Sequence, residues 1–500
     1  MNDQLKLNPN PLVRFLGKPQ SEFTRNDLIK YVESEGIEMI NLRYVGGDGR
    51  LKSLNFVINN IKHLEEILSN GERVDGSSLF KHINTGASDL YVVPRYTTAF
   101  RNPFSDIPSL DILCSYYDKD GTPMESSPEF ILRKAARSLK ERTGYDFHCM
   151  GELEYYVISD RDYKFEGTDQ RGYHESFPFN KFEEFRCAAL HTIAACGGHI
   201  KYAHSEVGNF TLNDKIYEQN EIEFLPVPVD VAADQLVIAK WILRSMAYLY
   251  DVDLTFAPKI TVGKAGSGMH VHTRLVKDGK NAMVENGKLS DVAKRAIAGY
   301  IDLAPSLTAF GNTNPTSYFR LVPNQEAPTN ICWGDRNRSV LVRVPLGWEG
   351  EINMAAHANP QDTNLTLDNT QNQTVEFRCP DGSADIYLLL AGLTVAARHG
   401  LEMENALKLA EETYVDVNIF QEEHKDRVKT LKQLPVSCFE SAEYLEKQAK
   451  IYQEHGVFSE TMIKGVVNML KAYNDHELRE KIQCDKEKLL KLVQQHYHCG

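Results

Sequence analysis

The sequence predicts an α+β protein with two domains. The chain has 500 residues, which is more than one hydrophobic core usually organises, so we expect two domains, with one large domain that carries attachments as the alternative. Stretches with the two-residue alternation of strands lie between longer stretches with the period of amphipathic helices. The hydrophobic fraction of 42% is high enough to bury a sizeable core.

Charge and cysteine content narrow the functional classes. A formal charge of −13, without a dense block of Lys and Arg, argues against nucleic acid as the main partner. No apolar run approaches membrane-spanning length and the N-terminus lacks the apolar core of a signal peptide, so we expect a soluble protein that does not enter a membrane. The nine cysteines form no CxxC pair, which favours reduced thiols in a cytoplasm.

The first 108 residues have the pattern of an α+β domain. A helical pattern at residues 25–35 precedes two short strands between Ile40 and Ile58, which a glycine-rich turn connects. Asp75 lies in a polar turn of the same domain, where capping of its own turn is a sufficient structural explanation. We expect the second domain to comprise residues 109–500.

The strand Gly151–Val157 is the centre of the second domain. Its aromatic and β-branched residues favour a strand, in which Glu152 and Glu154 share one face. The same polar-apolar-polar alternation recurs at residues 221–223, 270–272 and 376–378. A solvated sheet face would also alternate in this way. Because these positions carry Glu, His and Arg, we expect one shared functional surface.

Cap and turn signals predict the helices and connections around this strand. Residues 346–373 and 209–216 are polar and are expected to be inserts. The last hundred residues are mostly charged amphipathic helix around Pro435. Further helices are expected at 128–143, with Gly144 as its stop, at 181–196, from Asp230 to about 250, and at 384–399, with Gly400 as its stop.

The polar residues of the second domain indicate metal and phosphate chemistry. Carboxylates with a single histidine suit Mg²⁺ or Mn²⁺. Arg320, Arg338 and Arg343 lie in apolar sequence, where structural ion pairs or an anionic substrate would explain them. Guanidinium groups facing metal ions favour phosphate as that anion. The glycines between Ile260 and His272 form neither a P-loop nor a dinucleotide fingerprint, and more plausibly let backbone approach a ligand.

Along nearly its whole length the chain resembles the glutamine synthetase family. The resemblance rests on motifs in family order: Val74–Ser78, Glu152-Leu153-Glu154, His204-Ser205-Glu206, Gln219-Asn220-Glu221, Gly266–His272, Asn314–Pro323, Glu326-Ala327-Pro328, Arg336–Ser339 and Glu376-Phe377-Arg378. It implies a β-grasp-like N-terminal domain and a catalytic domain with an antiparallel barrel-like sheet. It also implies ring-shaped oligomers, with a dodecamer as the expected form, in which neighbouring subunits share active sites.

The resemblance further implies an ATP-dependent ligase that joins glutamate to ammonia through a γ-glutamyl phosphate. Two metal ions, Mg²⁺ or Mn²⁺, would each bind three side chains: Glu154, Glu206 and Glu221 for one, and Glu152, His270 and Glu376 for the other. Arg320 and Arg378 would meet the glutamate carboxylate, and the backbone around Gly266 would approach its amino group.

The remaining roles concern phosphate, nucleotide and ammonia. Arg338 and Arg343 match arginines that stabilise the transferred phosphoryl group, and Arg338 also belongs to the ATP site. His272 lies on the nucleotide side in this comparison. Glu326 matches an acid of the flap that closes over the intermediate, and Asp75 matches the residue that takes a proton from ammonium.

Three positions depart from the family pattern. Ala265, Arg274 and Thr374 stand where close members often have Asn, Ser and Arg. Ala265 bears on the contact with the glutamate amino group, and Arg274 and Thr374 bear on the nucleotide. The amine is left open, so a γ-glutamyl ligase for a polyamine or a small alkylamine is the alternative within the same class. A non-catalytic assembly or sensor protein is the alternative from another class. Because the metal and phosphate residues are all present, we predict a catalytic glutamate–ammonia ligase.

Overall fold

The computed structural model describes residues 5–80, 83, 88–322, 327–345, 353–362, 372–419, 429–482 and 485–500. Its architecture is α+β, as predicted. The two largest hydrophobic cores are separate. One lies under the N-terminal sheet and the other under the sheet of the second part of the chain. Among the described helices, none is long and apolar enough to cross a bilayer.

The N-terminal sheet has the strand order β2-β1-β6-β4-β3, with β5 beside β6. The strands are β1 Met39–Val45, β2 Leu51–Val57, β3 Glu72–Asp75, β4 Asp89–Pro94, β5 Phe100–Arg101 and β6 Ser109–Tyr117. β1 and β6 run parallel while their other partners are antiparallel. β6 follows residue 108, the predicted domain boundary, which stays a prediction.

The second sheet is a curled half-barrel with β7 at its centre. Its main order is β16-β17-β18-β12-β7-β9-β8, and short strands pair with β7 and β12. The strands are β7 Asp146–Asp160, β8 Ile200–Leu212, β9 Lys215–Phe224, β10 Val227–Pro228, β11 Asp253–Thr255, β12 Met269–Lys277, β13 Lys280–Asn281, β16 Trp333–Asp335, β17 Val342–Val344 and β18 Val375–Phe377. The pairs along this order are antiparallel, except for the parallel pair β16–β17. β14 Val284–Glu285 and β15 Lys288–Leu289 form a separate hairpin.

Helices surround the two sheets and cover the convex side of the second. They are α1 Pro11–Leu16, α2 Arg25–Glu35, α3 Ile61–Asn70, α4 Gly76–Leu79, α5 Pro128–Thr143, α6 Glu183–Ala195, α7 Val229–Leu249, α8 Asp291–Gly311, α9 Ser317–Arg320, α10 Met354–Ala358, α11 Ile386–Glu402, α12 Ala406–Glu412, α13 Cys438–Gln453, α14 Glu460–Lys471, α15 Leu478–Ile482 and α16 Lys486–Gln495. Short 3₁₀ turns lie at Gln20–Glu22, Tyr96–Thr98 and Glu454–Gly456.

Cap chemistry sets several of these boundaries as predicted. α5 has Pro128 in its first turn and ends at Gly144, which adopts a left-handed φ of 78°. The predicted insert 209–216 closes the β8–β9 hairpin, whose turn residues Asn213 and Asp214 have φ of 51° and 58°. Positive φ at both positions matches the twist of a tight hairpin. Most of 346–373 lies outside the described residues.

Gly400 does not end its helix, so that prediction is wrong. α11 continues to Glu402, and Gly400 faces Gly299 of α8. A Cβ at Gly400 would lie 2.1 Å from the carbonyl oxygen of Arg295, and one at Gly299 would lie 1.9 Å from that of Ala396. The glycine therefore serves the close crossing of two helices rather than a helix end.

A buried ion-pair network ties the N-terminal sheet to the helices of the second half. Arg95, just after β4, donates two hydrogen bonds of 2.6 and 2.8 Å to Asp234 of α7. The hydroxyl of Tyr387 on α11 donates to the same carboxylate at 2.6 Å. Breaking such a buried pair on one side typically costs about 3–5 kcal/mol, so this network holds the two halves in one relative position.

The helix crossing gives a stability prediction. We expect Gly299→Ala to destabilise the fold by about 1–3 kcal/mol, because the added methyl group must push α8 and α11 apart. Gly465→Ala is the control, since Gly465 lies inside α14 with open space around its Cβ position. That variant should gain up to about 1 kcal/mol from helix propensity. Thermal unfolding of both proteins checks the pair, and equal shifts in Tm would contradict the close crossing.

Candidate active site

Strand register brings the predicted polar residues onto one face of the curled sheet. Opposite one another across four strands lie Tyr202 of β8, Glu223 of β9, Glu152 of β7 and His270 of β12. A neighbouring row contains His204, Glu221 and Glu154. Glu154, Glu221 and Glu223 are at most 8% exposed, so a solvated sheet face does not explain the alternation.

This face forms the floor of a cleft of about 1330 Å³. All predicted site residues line it except two. Those lining it are Glu152, Glu154, Glu206, Glu221, Gly266, His270, His272, Arg320, Arg338, Arg343, Glu376 and Arg378. Asp75 does not line the cleft, and Glu326 lies outside the described residues.

Glu152, His270 and Glu376 form a compact group at the centre of the cleft. The Nδ1 of His270 lies 2.9 Å from a Glu152 oxygen and 3.5 Å from a Glu376 oxygen. One ligand atom from each residue lies within 4.8 Å of the other two. Burial lowers the pKa of His270, which favours the neutral imidazole that a metal ion requires.

His272 contacts the same group, in addition to its expected place on the nucleotide side. Its Nε2 lies 2.7 Å from the second oxygen of Glu152, and its Nδ1 lies 2.9 Å from the hydroxyl of Thr374. Burial opposes charging of the ring, but the carboxylate of Glu152 outweighs it and raises the pKa of His272. Thr374, which departs from the family pattern, therefore orients this histidine.

Three arginines surround Glu376 and His270. Arg378 and Arg343 each donate a hydrogen bond of 2.9 Å to Glu376, one to each oxygen. Arg320 donates to the carbonyl of Cys379 at 2.8 Å, and its other nitrogen lies 3.4 Å from the Nε2 of His270. The positive charge of the cleft is thus fixed directly beside its carboxylates.

The second predicted metal group, Glu154, Glu206 and Glu221, is not among the groups whose ligand atoms all lie within 4.8 Å of one another. Glu154 accepts hydrogen bonds from the side chain of Gln219 at 2.9 Å and from the backbone of Gly268 at 2.8 Å. Glu206 accepts from the backbone of Val207 at 2.6 Å. Glu221 lies between them on the neighbouring strand, opposite Glu154. The three carboxylates line the cleft together, and their shared ligation of one ion stays a prediction.

Neighbouring carboxylates repel the buried carboxylate of Glu221. Burial is the largest cause that raises its pKa well above the usual value, and the carboxylates of Glu152, Glu154, Glu206 and Glu223 raise it further. Arginines compensate Glu376, but among the described residues the basic side chain that pairs with Glu221 is the imidazole of His204, whose Nε2 is 3.8 Å away. Burial lowers the pKa of His204, so this ring supplies little positive charge. A bound cation would remove this repulsion.

The donor set fits a hard divalent cation. Carboxylate oxygens with one or two imidazoles are the ligands that Mg²⁺ and Mn²⁺ accept. Glu152, His270 and Glu376 meet the distance requirement for one ion. His204, Glu221 and Glu223 meet it as a second group, which differs from the predicted set by two residues.

Close backbone approach explains the glycines beside this cluster. A Cβ at Gly266 would lie 2.6 Å from the carbonyl oxygen of Pro258, and one at Gly268 would lie 2.5 Å from a guanidinium nitrogen of Arg320.

Ala265 is held by its backbone, which donates to Gln170 at 2.7 Å and accepts from Tyr156 at 2.8 Å. Its methyl group offers no hydrogen bond to a ligand. Arg274 does not line the cleft.

Asp75 caps α4 in this chain. Its carboxylate accepts from the backbone and hydroxyl of Ser77, at 3.0 and 2.7 Å, and from the hydroxyl of Ser78 at 2.6 Å. These hydrogen bonds, that of Ser78 first, hold the pKa of Asp75 well below its usual range. The residue is exposed, so the structural explanation for Asp75 applies within one chain, and its catalytic role stays a prediction.

Several residues that line the cleft had no role assigned from the sequence. They are Lys201, Tyr202, His204 and Glu223, with Lys259 and Lys264 at another part of its lining. The alternation at 221–223 already placed Glu223 on the same face as Glu221. Lys201 and Tyr202 of β8 carry no comparable signal, since a register irregularity between Ile200 and Tyr202 changes how this part of the strand faces the cleft.

Two sequence-family models match most of the chain, and both belong to one family. A family model described as glutamine synthetase, catalytic domain, matches residues 125–486, and one described as glutamine synthetase, beta-Grasp domain, matches residues 36–119. A glutamine synthetase of Clostridium saccharobutylicum is 31% identical over 436 residues, covering 85% of this chain and 90% of the relative. One of Thermus thermophilus is 29% identical over 452 residues, covering 87% and 92%.

Solved structures share the fold. A glutamine synthetase of Plasmodium falciparum superposes with a TM-score of 0.73 at 19% identity, covering 92% of this chain and 98% of its own. A structure titled "Apo GmaS without ligand" superposes with a TM-score of 0.70, also at 19% identity, covering 92% and 100%. At such identities the likeness concerns the fold alone.

The repulsion at Glu221 predicts opposite effects with and without metal. We expect Glu221→Gln to raise the Tm of the metal-free protein by a few degrees, because it removes a buried charge that lacks a close counterion. The same change should reduce the stabilisation that Mn²⁺ gives the wild type through binding to the folded state. Thermal unfolding with chelator and with Mn²⁺ measures both effects.

Glu218→Gln is the matched control for this experiment. Glu218 is a buried carboxylate of the same strand, but it accepts hydrogen bonds of 2.8 Å from the Asn180 side chain and the Lys181 backbone. Its replacement should leave the Mn²⁺-induced shift in Tm unchanged. A Glu221→Gln protein with the full wild-type shift would remove Glu221 from the metal site.

Proposed function

The chain belongs to the glutamine synthetase family of ligases, and we propose that it forms glutamine from glutamate and ammonia with ATP, through a γ-glutamyl phosphate. The observation that carries the proposal is the content of one cleft: carboxylates and imidazoles that fit divalent cations, with arginines fixed beside them. Carboxylates are poor electrophiles, so phosphorylation of the glutamate side chain supplies the leaving group that amide formation needs.

Two groups of side chains in the cleft would bind metal ions: one around Glu152 and one around Glu221. Divalent cations bound there would neutralise charge on the ATP phosphates and orient them. Glu152, His270 and Glu376 would hold one ion, and Glu221 with neighbouring carboxylates would hold another. The existing hydrogen bonds of Glu154 and Glu376 keep these carboxylates oriented before any ion binds.

Arg338 and Arg343 are suited to stabilise the transferred phosphoryl group. The side chain of Arg338 is exposed in the cleft, so its planar fork is available to two phosphoryl oxygens. Arg343 is held by one hydrogen bond to Glu376, and its buried Nε has no hydrogen-bond partner among the described residues.

Arg320, Arg378 and the backbone around Gly266 would bind glutamate. The guanidinium groups of Arg320 and Arg378 are each anchored through part of their donors to backbone or carboxylate oxygens, which leaves other donors for a carboxylate ligand. The close packing around Gly266 keeps the backbone at the surface of the cleft. Such a preorganised site positions the γ-carboxylate for phosphoryl transfer.

The identity of the amine is the finer part of the proposal. Ammonia is our first choice, on the basis of the curated relatives named glutamine synthetase. A polyamine or a small alkylamine as the acceptor is the alternative within the same class. Ala265 bears on glutamate instead, because it offers a methyl group where close family members often have Asn beside the glutamate amino group.

We also propose that the chain assembles into rings in which Asp75 of one subunit completes the cleft of its neighbour. Asp75 does not line the cleft of its own chain, and its hydrogen bonds to Ser77 and Ser78 fix an ionised carboxylate at an exposed position. Such a group can attract ammonium through its negative charge, and taking a proton from it is the role that the family resemblance implies. The described cysteines are free thiols, which supports a cytoplasmic location for the assembly.

Phosphate release across an amine panel tests the proposed function. Purified protein with ATP, glutamate and Mg²⁺ is assayed with ammonia, methylamine, ethanolamine or polyamines, and without amine. We expect the highest kcat/KM with ammonia and formation of glutamine in equal amount. Turnover only with a larger amine would identify the alternative ligase. No turnover with any amine, by protein that is folded and assembled, would contradict a catalytic function.

Arg338→Lys tests the assignment of the phosphoryl site. We expect kcat to fall by about two to three orders of magnitude while glutamate KM changes little, because lysine keeps the charge but loses the planar fork. Arg142→Lys is the control, since Arg142 pairs with Glu402 on the surface. A change confined to KM would contradict the assigned role of Arg338.

Hybrid rings test the shared site. Asp75→Ala and Glu154→Ala subunits, each inactive alone, are co-assembled and their mixing is verified by mass spectrometry. We expect activity to return, because some interfaces combine an intact Asp75 with an intact metal group. Mixed rings that stay as inactive as both parents would show that Asp75 does not act in a neighbouring subunit.

A further inference from the structure

Glu223 is held by two donors from the neighbouring strand. The ammonium group of Lys201 lies 2.7 Å from one of its oxygens, and the hydroxyl of Tyr202 donates to the other. The same ammonium group lies 4.8 Å from the centre of the Tyr202 ring. Glu223 itself is 6% exposed, whereas the Lys201 side chain is 41% exposed. A partly exposed cation therefore neutralises a buried carboxylate.

This ion pair borders the group of residues that could hold a divalent cation. Ligand atoms of His204, Glu221 and Glu223 all lie within 4.8 Å of one another. Glu221 is 5% exposed and faces the cleft. Among the described residues no group donates a hydrogen bond to its carboxylate, and the closest ring nitrogen is the Nε2 of His204 at 3.8 Å. A buried, unpaired carboxylate of this kind requires a cation.

His204 is oriented as a metal ligand. Its Nδ1 lies 3.1 Å from the carbonyl oxygen of Ser205, which can only accept a hydrogen bond, so the proton is on Nδ1. The lone pair of Nε2 then faces the carboxylate of Glu221. A backbone carbonyl that fixes the tautomer is the usual support of a histidine that binds metal.

We propose that Glu223 binds a divalent cation together with Glu221 and His204, and that Lys201 is an internal counterion that occupies Glu223 until the cation arrives. This inference rests on the proposed metal-dependent function and adds a ligand and a competitor to it. Cation binding displaces the Lys201 ammonium from Glu223, and the length of the lysine side chain lets it move into the open cleft. Lys201 thus lowers the affinity for this ion.

Mn²⁺ titration of the metal-free protein, followed by isothermal calorimetry and by the electron paramagnetic resonance signal of free Mn²⁺, tests the competition. We expect Lys201→Met to tighten one Mn²⁺ binding event by about tenfold or more, since a positive charge next to the ion is removed. Methionine keeps most of the length of the side chain, and the exposed position should tolerate it. Far-UV circular dichroism and Tm verify folding.

Two further variants separate a specific effect from a general one. Lys264→Met removes the same charge from the same cleft, but Lys264 pairs with Asp169 at 2.5 Å, so it should change Mn²⁺ affinity less than threefold. In the double variant Lys201→Met/Glu223→Gln the gain should disappear, because the competition acts through Glu223.

The outcomes distinguish this inference from the proposed function. Wild-type protein that binds Mn²⁺, with unchanged affinity in Lys201→Met, overturns the inference and leaves the metal-dependent ligase intact. Equal gains in Lys201→Met and Lys264→Met, or a gain that persists without Glu223, also overturn it. Wild-type protein that binds no Mn²⁺ overturns both.

Discussion

Electrostatic repulsion among buried carboxylates is the constraint on which the rest of the cleft depends. Glu152, Glu154, Glu221 and Glu223 face each other across β7 and β9 at strand spacing, and burial removes the solvent that would screen them. Arg343 and Arg378 neutralise Glu376, and His270 and His272 contact Glu152. Among the described residues the carboxylate of Glu221 has no comparable partner, so the metal-free cleft is built at a cost in free energy that a cation recovers.

The scaffold resists this repulsion through packing elsewhere. The convex side of the sheet is covered by helices, two of which cross closely at Gly299 and Gly400. The Arg95–Asp234 pair joins the N-terminal sheet to the same layer of helices. Because β3 and α4 carry Asp75, the orientation of the N-terminal sheet decides where this carboxylate is presented. A shared active site would therefore depend on the Arg95–Asp234 pair, although this pair lies outside the cleft, because it fixes the orientation of the sheet that carries Asp75.

The sequence was sufficient for the cleft-facing side of four strands and for the ends of several helices, but not for register. Alternation at Glu152, Glu221, His270 and Glu376 follows from a local period, and motifs identified the family. Which of these residues become neighbours depends on pairing between strands far apart in the chain, so the contact of His272 with Glu152 and the role of Thr374 could not be derived. Gly400 was misassigned because a helix stop and a helix crossing leave the same glycine in the sequence.

Anomalous scattering from crystals soaked in Mn²⁺ tests the central claim most directly, since it locates the ions without reference to activity. The account predicts one peak coordinated by Glu152, His270 and Glu376, and at least one more in contact with Glu221, both inside the cleft. Mn²⁺ peaks only at exposed surface carboxylates, with none on the concave face of the sheet, would contradict it.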